Sequence, residues 1–333
     1  DIMLNLYQDC SIQSADKVMY KLEAGKYIPP AAANKNSQIF YEYVFSGLRS
    51  ENHAVRISSA ELCYIILSQW KDRGFAEKLS SFLSENAAFS SIPAENYIMH
   101  KICSCIGIGE AFTNQYYEYC KADEVNMGDI FLSNLKSATE WIVKKINIDI
   151  LLDHALVNSD GNELHTAIHL CNILKVSYWE IVRNKAGEAL IKLLPMLSPE
   201  QRNEVAIELL RALEIDGYKY AEYIPQYLGQ IILTLKPIEL DELIQDLSDK
   251  IKLSSSQLNT LFLRTVGITI INYERYINIF QEDKKKYSKR LVKLIGIILN
   301  GMGHYDERIK QTAFKVLGND IFGSKELDFN RKF

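Results

Sequence analysis

Glu180-Ile181-Val182-Arg183-Asn184-Lys185-Ala186-Gly187-Glu188-Ala189-Leu190-Ile191-Lys192-Leu193 sets Val182, Ala186, Ala189, Leu190 and Leu193 three and four residues apart. That is the period of one face of an α-helix. The same order occurs twice more. Val55-Arg56 leads to Ala60, Leu62 and Leu67, and Ile309-Lys310 leads to Ala313, Val316-Leu317 and Gly318. An amphipathic segment ending in leucine precedes each copy, at Leu48, Leu174 and Leu299. The β-branched residue and the leucines would pack between neighbouring helix pairs, and alanine would let the two helices of a pair approach closely. The basic residue stands at the helix start, where the dipole opposes its charge. We therefore expect it to meet an acidic or carbonyl partner in the adjoining repeat.

Helical periodicity extends over most of the 333 residues. Ser198-Pro199-Glu200-Gln201 supplies an N-cap serine, a proline at the first helical position and a glutamine able to close a capping box. Val205, Leu209, Leu210 and Leu213 follow on one face, and Gly217 marks the exit. Joints such as 49–52, 158–161 and 215–217 are short and polar, which favours antiparallel neighbours. Further helices are expected over 110–122, 127–145, 148–157 and 254–271; the β-branched stretch 267–280 is the weakest helical signal. With 7 Pro and 16 Gly, the chain has too few turn-formers for a sandwich or barrel. The reading is all-α: a right-handed solenoid or superhelix of antiparallel helix pairs. It divides into a leading helix and linker at 1–36, a repeat array at 37–318, and a polar tail or link at 319–333. The start at Asp1 suggests a segment of a larger protein.

The recurring pattern resembles the second helix of HEAT repeats, of typical form Asp-x-x-Val-Arg-x-x-Ala-x-x-x-Leu. His53-Ala54-Val55-Arg56 and Glu180-Ile181-Val182-Arg183 match its core, and Asp306-Glu307-Arg308-Ile309-Lys310 matches with Lys for Arg. Asn52 and Trp179 stand where the family has its preceding Asp. Val55, Val182 and Ile309 are each 127 residues apart, room for three repeats of about 42 residues in each interval. The intervening repeats would fall near 97, 140, 224 and 267. The resemblance implies a curved surface used for binding.

Hydrophobic residues make up 47% and charged residues 24%, values of a globular chain. A formal charge of −4 disfavours general nucleic-acid binding. No apolar run approaches the length of a membrane span. Six cysteines lack disulfide-framework or zinc spacing and point to a reducing, cytoplasmic setting. His165 and His169 share a helix face, but Thr-Ala-Ile between them supplies no glutamate base, so no metal is expected. Cys103-Ser-Cys105 has one residue too few for a redox pair. Gly318 to Lys325 has Ser and Lys reversed for a phosphate loop, and Asn162 reads as an N-cap rather than part of a calcium loop. No catalytic residue and no cofactor emerge. Two clusters are candidate binding groups: Tyr220, Tyr223 and Tyr227 near one helix face, and Lys285, Lys286 and Lys289 in the run from Lys284 to Lys293. The expected function is a non-catalytic binding module or scaffold whose partner is a protein or a neighbouring domain. The alternative is a HEAT-like enzyme on nucleic acid, of the DNA glycosylase type.

Overall fold

A computed structural model describes residues 14–28, 37–86, 90–107, 114, 127–158, 161–214, 220–253, 256–280 and 284–323. These residues form fifteen α-helices and no strand. The chain divides into two compact units, Asp1–Ile150 and Leu151–Phe333. The expected helix over 110–122 and the exit at Gly217 lie outside the described residues.

The first unit holds α1 (Ala15–Gly25), α2 (Ser37–Leu48), α3 (His53–Ile65), α4 (Arg73–Asn86), α5 (Pro93–Ile106) and α6 (Met127–Leu135). The boundary between the units falls inside α7 (Trp141–Asn158). Helix α3 is central: α1, α2 and α5 all pack on it. From Ala54 to Cys63 every residue but Arg56 is buried, Val55, Ile57, Ala60 and Leu62 among them. Asn52 starts the helix, its side-chain oxygen accepting from the Ala54 and Val55 amides at 2.9 and 3.3 Å. Asn52 is thus a cap. Helix α2 meets α4 through rings, with Tyr41–Phe75 centroids 4.7 Å apart and Phe45–Phe75 5.6 Å apart.

One joint lies elsewhere than the sequence suggests. The periodic segments 127–145 and 148–157 are in fact α6 and α7, separated at 136–140 rather than near 147. Residues 141–148 of α7 are all buried, Lys144, Lys145 and Asn147 among them, so polar positions do not mark a solvent face there and the helical period is blurred.

The second unit holds α8 (Glu163–Val176), α9 (Glu180–Leu193), α10 (Pro199–Glu214), α11 (Ile224–Ile231), α12 (Pro237–Leu253), α13 (Ser256–Phe280), α14 (Lys284–Met302) and α15 (Glu307–Lys315). Sequential partners pack together: α8 on α9, α10 on α11, α12 on α13, α14 on α15. Contacts also skip one helix. Helix α8 touches α10, α12 touches α14, and α9, α11, α13 and α15 touch in turn. Val182, Ala186, Leu190 and Leu193 are buried, as are Val205, Leu209, Leu210 and Leu213.

The two sets of skipping contacts differ in chemistry. Ion pairs join α8, α10, α12 and α14: Lys175–Glu208, Lys236–Glu200, Lys250–Glu214 and Arg290–Asp241. Glu200 and Glu214 lie at opposite ends of α10, and each meets a lysine 36 residues later. Helices α10 and α12 therefore run side by side in the same direction. Close backbone approach joins the other set. A side chain at Gly187 would strike the Tyr227 ring, one at Gly229 would strike Ile268, and one at Gly267 would strike Val316.

Helix α13 carries the β-branched stretch 267–280 through to Phe280 without a break. The hydroxyls of Thr265 and Thr269 donate to the Leu261 and Thr265 carbonyls, so buried polar groups are satisfied inside the helix. Val266 and Ile270 are fully buried, and packing outweighs their modest helix propensity.

The capping box at Ser198 forms as its sequence reads. Its amide donates to Gln201 Oε1 at 2.8 Å, and the Gln201 amide donates back to Ser198 Oγ at 3.2 Å. Ser198→Ala is expected to cost about 1 kcal/mol. A urea titration followed by circular dichroism checks this, and an unchanged midpoint would mean that water replaces the cap at no cost.

Candidate interaction surface

The basic residues of the recurring pattern are held by their own turns. Arg56 Nη1 donates to the Ser50 and Glu51 carbonyls, both at 2.9 Å. Arg183 Nη1 donates to the Ser177 and Tyr178 carbonyls at 2.6 and 2.9 Å. In both copies the arginine reaches back six and five residues, closing the turn that leads into its helix. The outward partners differ. Arg56 also makes a fork with Glu95 of α5, at 2.6 and 3.0 Å. Arg183 instead lies between two rings, its guanidinium carbon 4.1 Å from the centroids of both Tyr220 and Tyr223. Its carbonyl partners thus belong to its own turn and its forward partners are aromatic faces, a departure from the expected acidic or carbonyl partner in the adjoining repeat. Lys310 reaches Glu307 of its own helix at 3.1 Å.

The tyrosine cluster is accordingly split. Tyr220 and Tyr223 clasp Arg183 ahead of α11, while Tyr227 points inward and is buried. Its hydroxyl donates to the Asn184 carbonyl at 3.2 Å, and burial, with the Glu188 charge, pushes the phenol up to about 12. Tyr227 packs in the interior, its ring against Gly187. Three- and four-residue spacing places side chains on a face without saying whether that face looks in or out.

The lysine run lies on α14. Lys289 and Lys293 are exposed; Lys285 and Lys286 fall in its first turn, and their side chains are outside the described residues. Arg290, by contrast, is buried and makes a fork with Asp241 at 2.7 and 2.9 Å, with a third bond to the Pro237 carbonyl at 3.0 Å. Leu294, Ile297 and Ile298 form the buried face of α14, yet Val292 is 66% exposed and Leu299 51%. Phe314 on α15 is 53% exposed, and Arg308 and Lys315 of the same helix are exposed as well. Tyr305, in the turn between these helices, is 93% exposed with its ring stacked on His304 at 4.3 Å.

The nucleophilic and metal-ligating candidates have structural surroundings. His169 is buried, and burial, with the His165 charge, lowers it to about 4. Burial raises the Cys63, Cys103 and Cys171 thiols above their ordinary value, the last to about 12. Among the described residues no three His, Cys, Asp or Glu side chains gather as a metal site would require. No described helix is long and apolar enough to cross a membrane.

Comparison with protein-family models finds no match. Comparison with curated proteins finds none. Among solved structures, a crystal structure of an engineered protein aligns over 96% of this chain and 98% of its own. The identity is 11% and the TM-score 0.21, so that likeness carries no argument about fold.

A buried ionic cluster in the first unit was not apparent from the sequence. Lys26 bonds to Glu23 and Glu61, and Lys145 bonds to the same two carboxylates at 3.0–3.2 Å. It ties the end of α1 to α3 and α7. Burial alone would raise Glu61, but the charges of Lys26 and Lys145 outweigh it and hold the carboxyl at about 2. The available signal was Lys144-Lys145 set inside Trp141-Ile-Val and Ile146-Asn-Ile, since a charge amid so much apolar sequence needs a partner.

Proposed function

We propose that this chain is a non-catalytic α-solenoid of HEAT-like repeats that binds protein. The observation that carries the reading is the order of contacts in the second unit. Helices pair in sequence, and each set of alternate helices, α8-α10-α12-α14 and α9-α11-α13-α15, forms a row by ion pairs or close glycine contacts. Stacking of this kind leaves each repeat in touch with its neighbours alone and builds an extended surface. The 127 residues from Val182 to Ile309 are spanned by three steps, α9 to α11 to α13 to α15, in keeping with repeats of about 42 residues. Burial in packing accounts for the shifts of Cys63, Cys171 and His169, and the charges of Lys26 and Lys145 account for that of Glu61, which supports structural roles for all four.

The test is affinity capture from native lysate at physiological salt, with and without nuclease, followed by reconstitution from purified components. A protein partner that resists nuclease and co-elutes at fixed stoichiometry is expected. Capture that vanishes with nuclease would replace this reading with nucleic-acid binding.

A further inference from the structure

The last helix pair of the second unit carries a charge opposite to that of the chain. Residues 284–323 contain nine Lys or Arg against three Asp or Glu, in a protein of net charge −4. Helix α14 itself, Lys284–Met302, has six cations and no acid. Arg290 is neutralised by Asp241, whereas Lys289, Lys293, Arg308 and Lys315 are exposed with no ion pair among the described residues. The exposed acid of the pair, Glu307, is engaged by Lys310. The same two helices carry Val292, Leu299 and Phe314, each more than half exposed. Val292 and Leu299 are seven residues apart, two turns along one side of α14.

From this arrangement we propose that the outer face of α14 and α15 is a docking surface for an acidic amphipathic protein segment. Such a segment sets carboxylates against Lys289 and Lys293 and apolar side chains against Val292, Leu299 and Phe314. The proposal rests on the protein-binding reading above and names where and with what chemistry. Charge complementarity selects an anionic partner, because the rest of the chain repels one and this face attracts it. The exposed apolar residues select a peptide over nucleic acid, whose phosphates would be served by cations alone. A lipid surface fits less well. A membrane-lying helix commits its main apolar face to lipid, and that face of α14 (Leu294, Ile297, Ile298) is already buried in the protein.

The experiment is selection of a displayed random 16-residue peptide library against the full chain, with Kd by fluorescence anisotropy for enriched peptides. The variants are Lys289→Glu/Lys293→Glu and Val292→Ser, all at exposed positions. Enriched peptides rich in Asp, Glu and apolar residues are expected. The charge reversal should weaken their binding at least tenfold and Val292→Ser severalfold, with the circular dichroism melt unchanged. Peptides without acidic bias, or binding indifferent to both variants, would overturn this surface while leaving the solenoid a binding module. Absence of enriched peptides, with DNA or anionic phosphatidylserine vesicles bound through Lys289 and Lys293, would overturn the partner class. Loss of every ligand would count against the protein-binding reading as well.

Discussion

Replacing Glu61 by Gln should destabilise the first unit by about 3–5 kcal/mol, the cost of breaking a buried ion pair from one side. Two lysines and two glutamates balance in the cluster, each side chain at most 12% exposed. With Gln at 61, Lys26 and Lys145 share Glu23 alone, and one positive charge is left without compensation in a low-dielectric site. A loss of this size is a large part of the stability of an ordinary domain. Amide hydrogen exchange should show it as faster opening of α1, α3 and α7, alongside a lower urea midpoint. The double variant Glu61→Gln/Lys26→Met restores the charge balance and should recover a substantial part. If Glu61→Gln leaves exchange in all three helices unchanged, the cluster does not hold them together. The acid limb follows from the same group. Its folded pKa of about 2 is depressed from 4.5, so its stabilisation is complete above pH 4.5 and is lost as pH falls through 2. That shift corresponds to about 3 kcal/mol at neutral pH, and the component should vanish in Glu61→Gln.

What could be read from the chain follows from the range of each interaction. The capping box at Ser198 spans three residues, so its four letters sufficed. The Val-Arg pattern placed Val55, Val182 and Ile309 correctly in the interior, because a helical period is a local property. The buried cluster was hidden because Glu61 and Lys145 are 84 residues apart and neither residue's surroundings in sequence name the other. The forward partner of each arginine was hidden for the same reason: Glu95 for Arg56, but Tyr220 and Tyr223 for Arg183. The tyrosines show a different limit. Tyr220, Tyr223 and Tyr227 have the right spacing for a shared face, yet Gly187 opens a slot on α9 that takes in the ring of Tyr227. Which side of a short helix is covered depends on the small residues of the helix opposite. The lysine run was visible as a run, but the separation of Arg290, turned inward to Asp241, from Lys289 and Lys293, turned outward, needed the fold.

Two glycines in the second unit should respond to alanine with opposite sign. In the interior of a helix alanine is favoured over glycine by about 1 kcal/mol, so without other effects both substitutions would stabilise. Gly296 on α14 meets that condition: a methyl group there has nothing within 4 Å, and Gly296→Ala should gain about 0.5–1 kcal/mol. Gly229 on α11 does not. Its methyl would lie 2.8 Å from Cβ and Cγ2 of Ile268 and 2.8 Å from the Thr265 carbonyl oxygen. That oxygen already accepts from Thr269 Oγ1 at 2.8 Å, and Ile268 is branched at the atom being struck, so neither can move without shifting α13. Overpacking of this kind costs about 1–3 kcal/mol, enough to exceed the propensity gain. Gly229→Ala is therefore expected to melt earlier than the parent and Gly296→Ala later, by scanning calorimetry with hydrogen exchange to locate the change in α11 and α13. If Gly229→Ala instead stabilises, α11 and α13 do not approach as closely as the row of glycine contacts requires. The stacking of α9, α11, α13 and α15 would then lose one of its three joints, and the repeat reading built on it would fall with it.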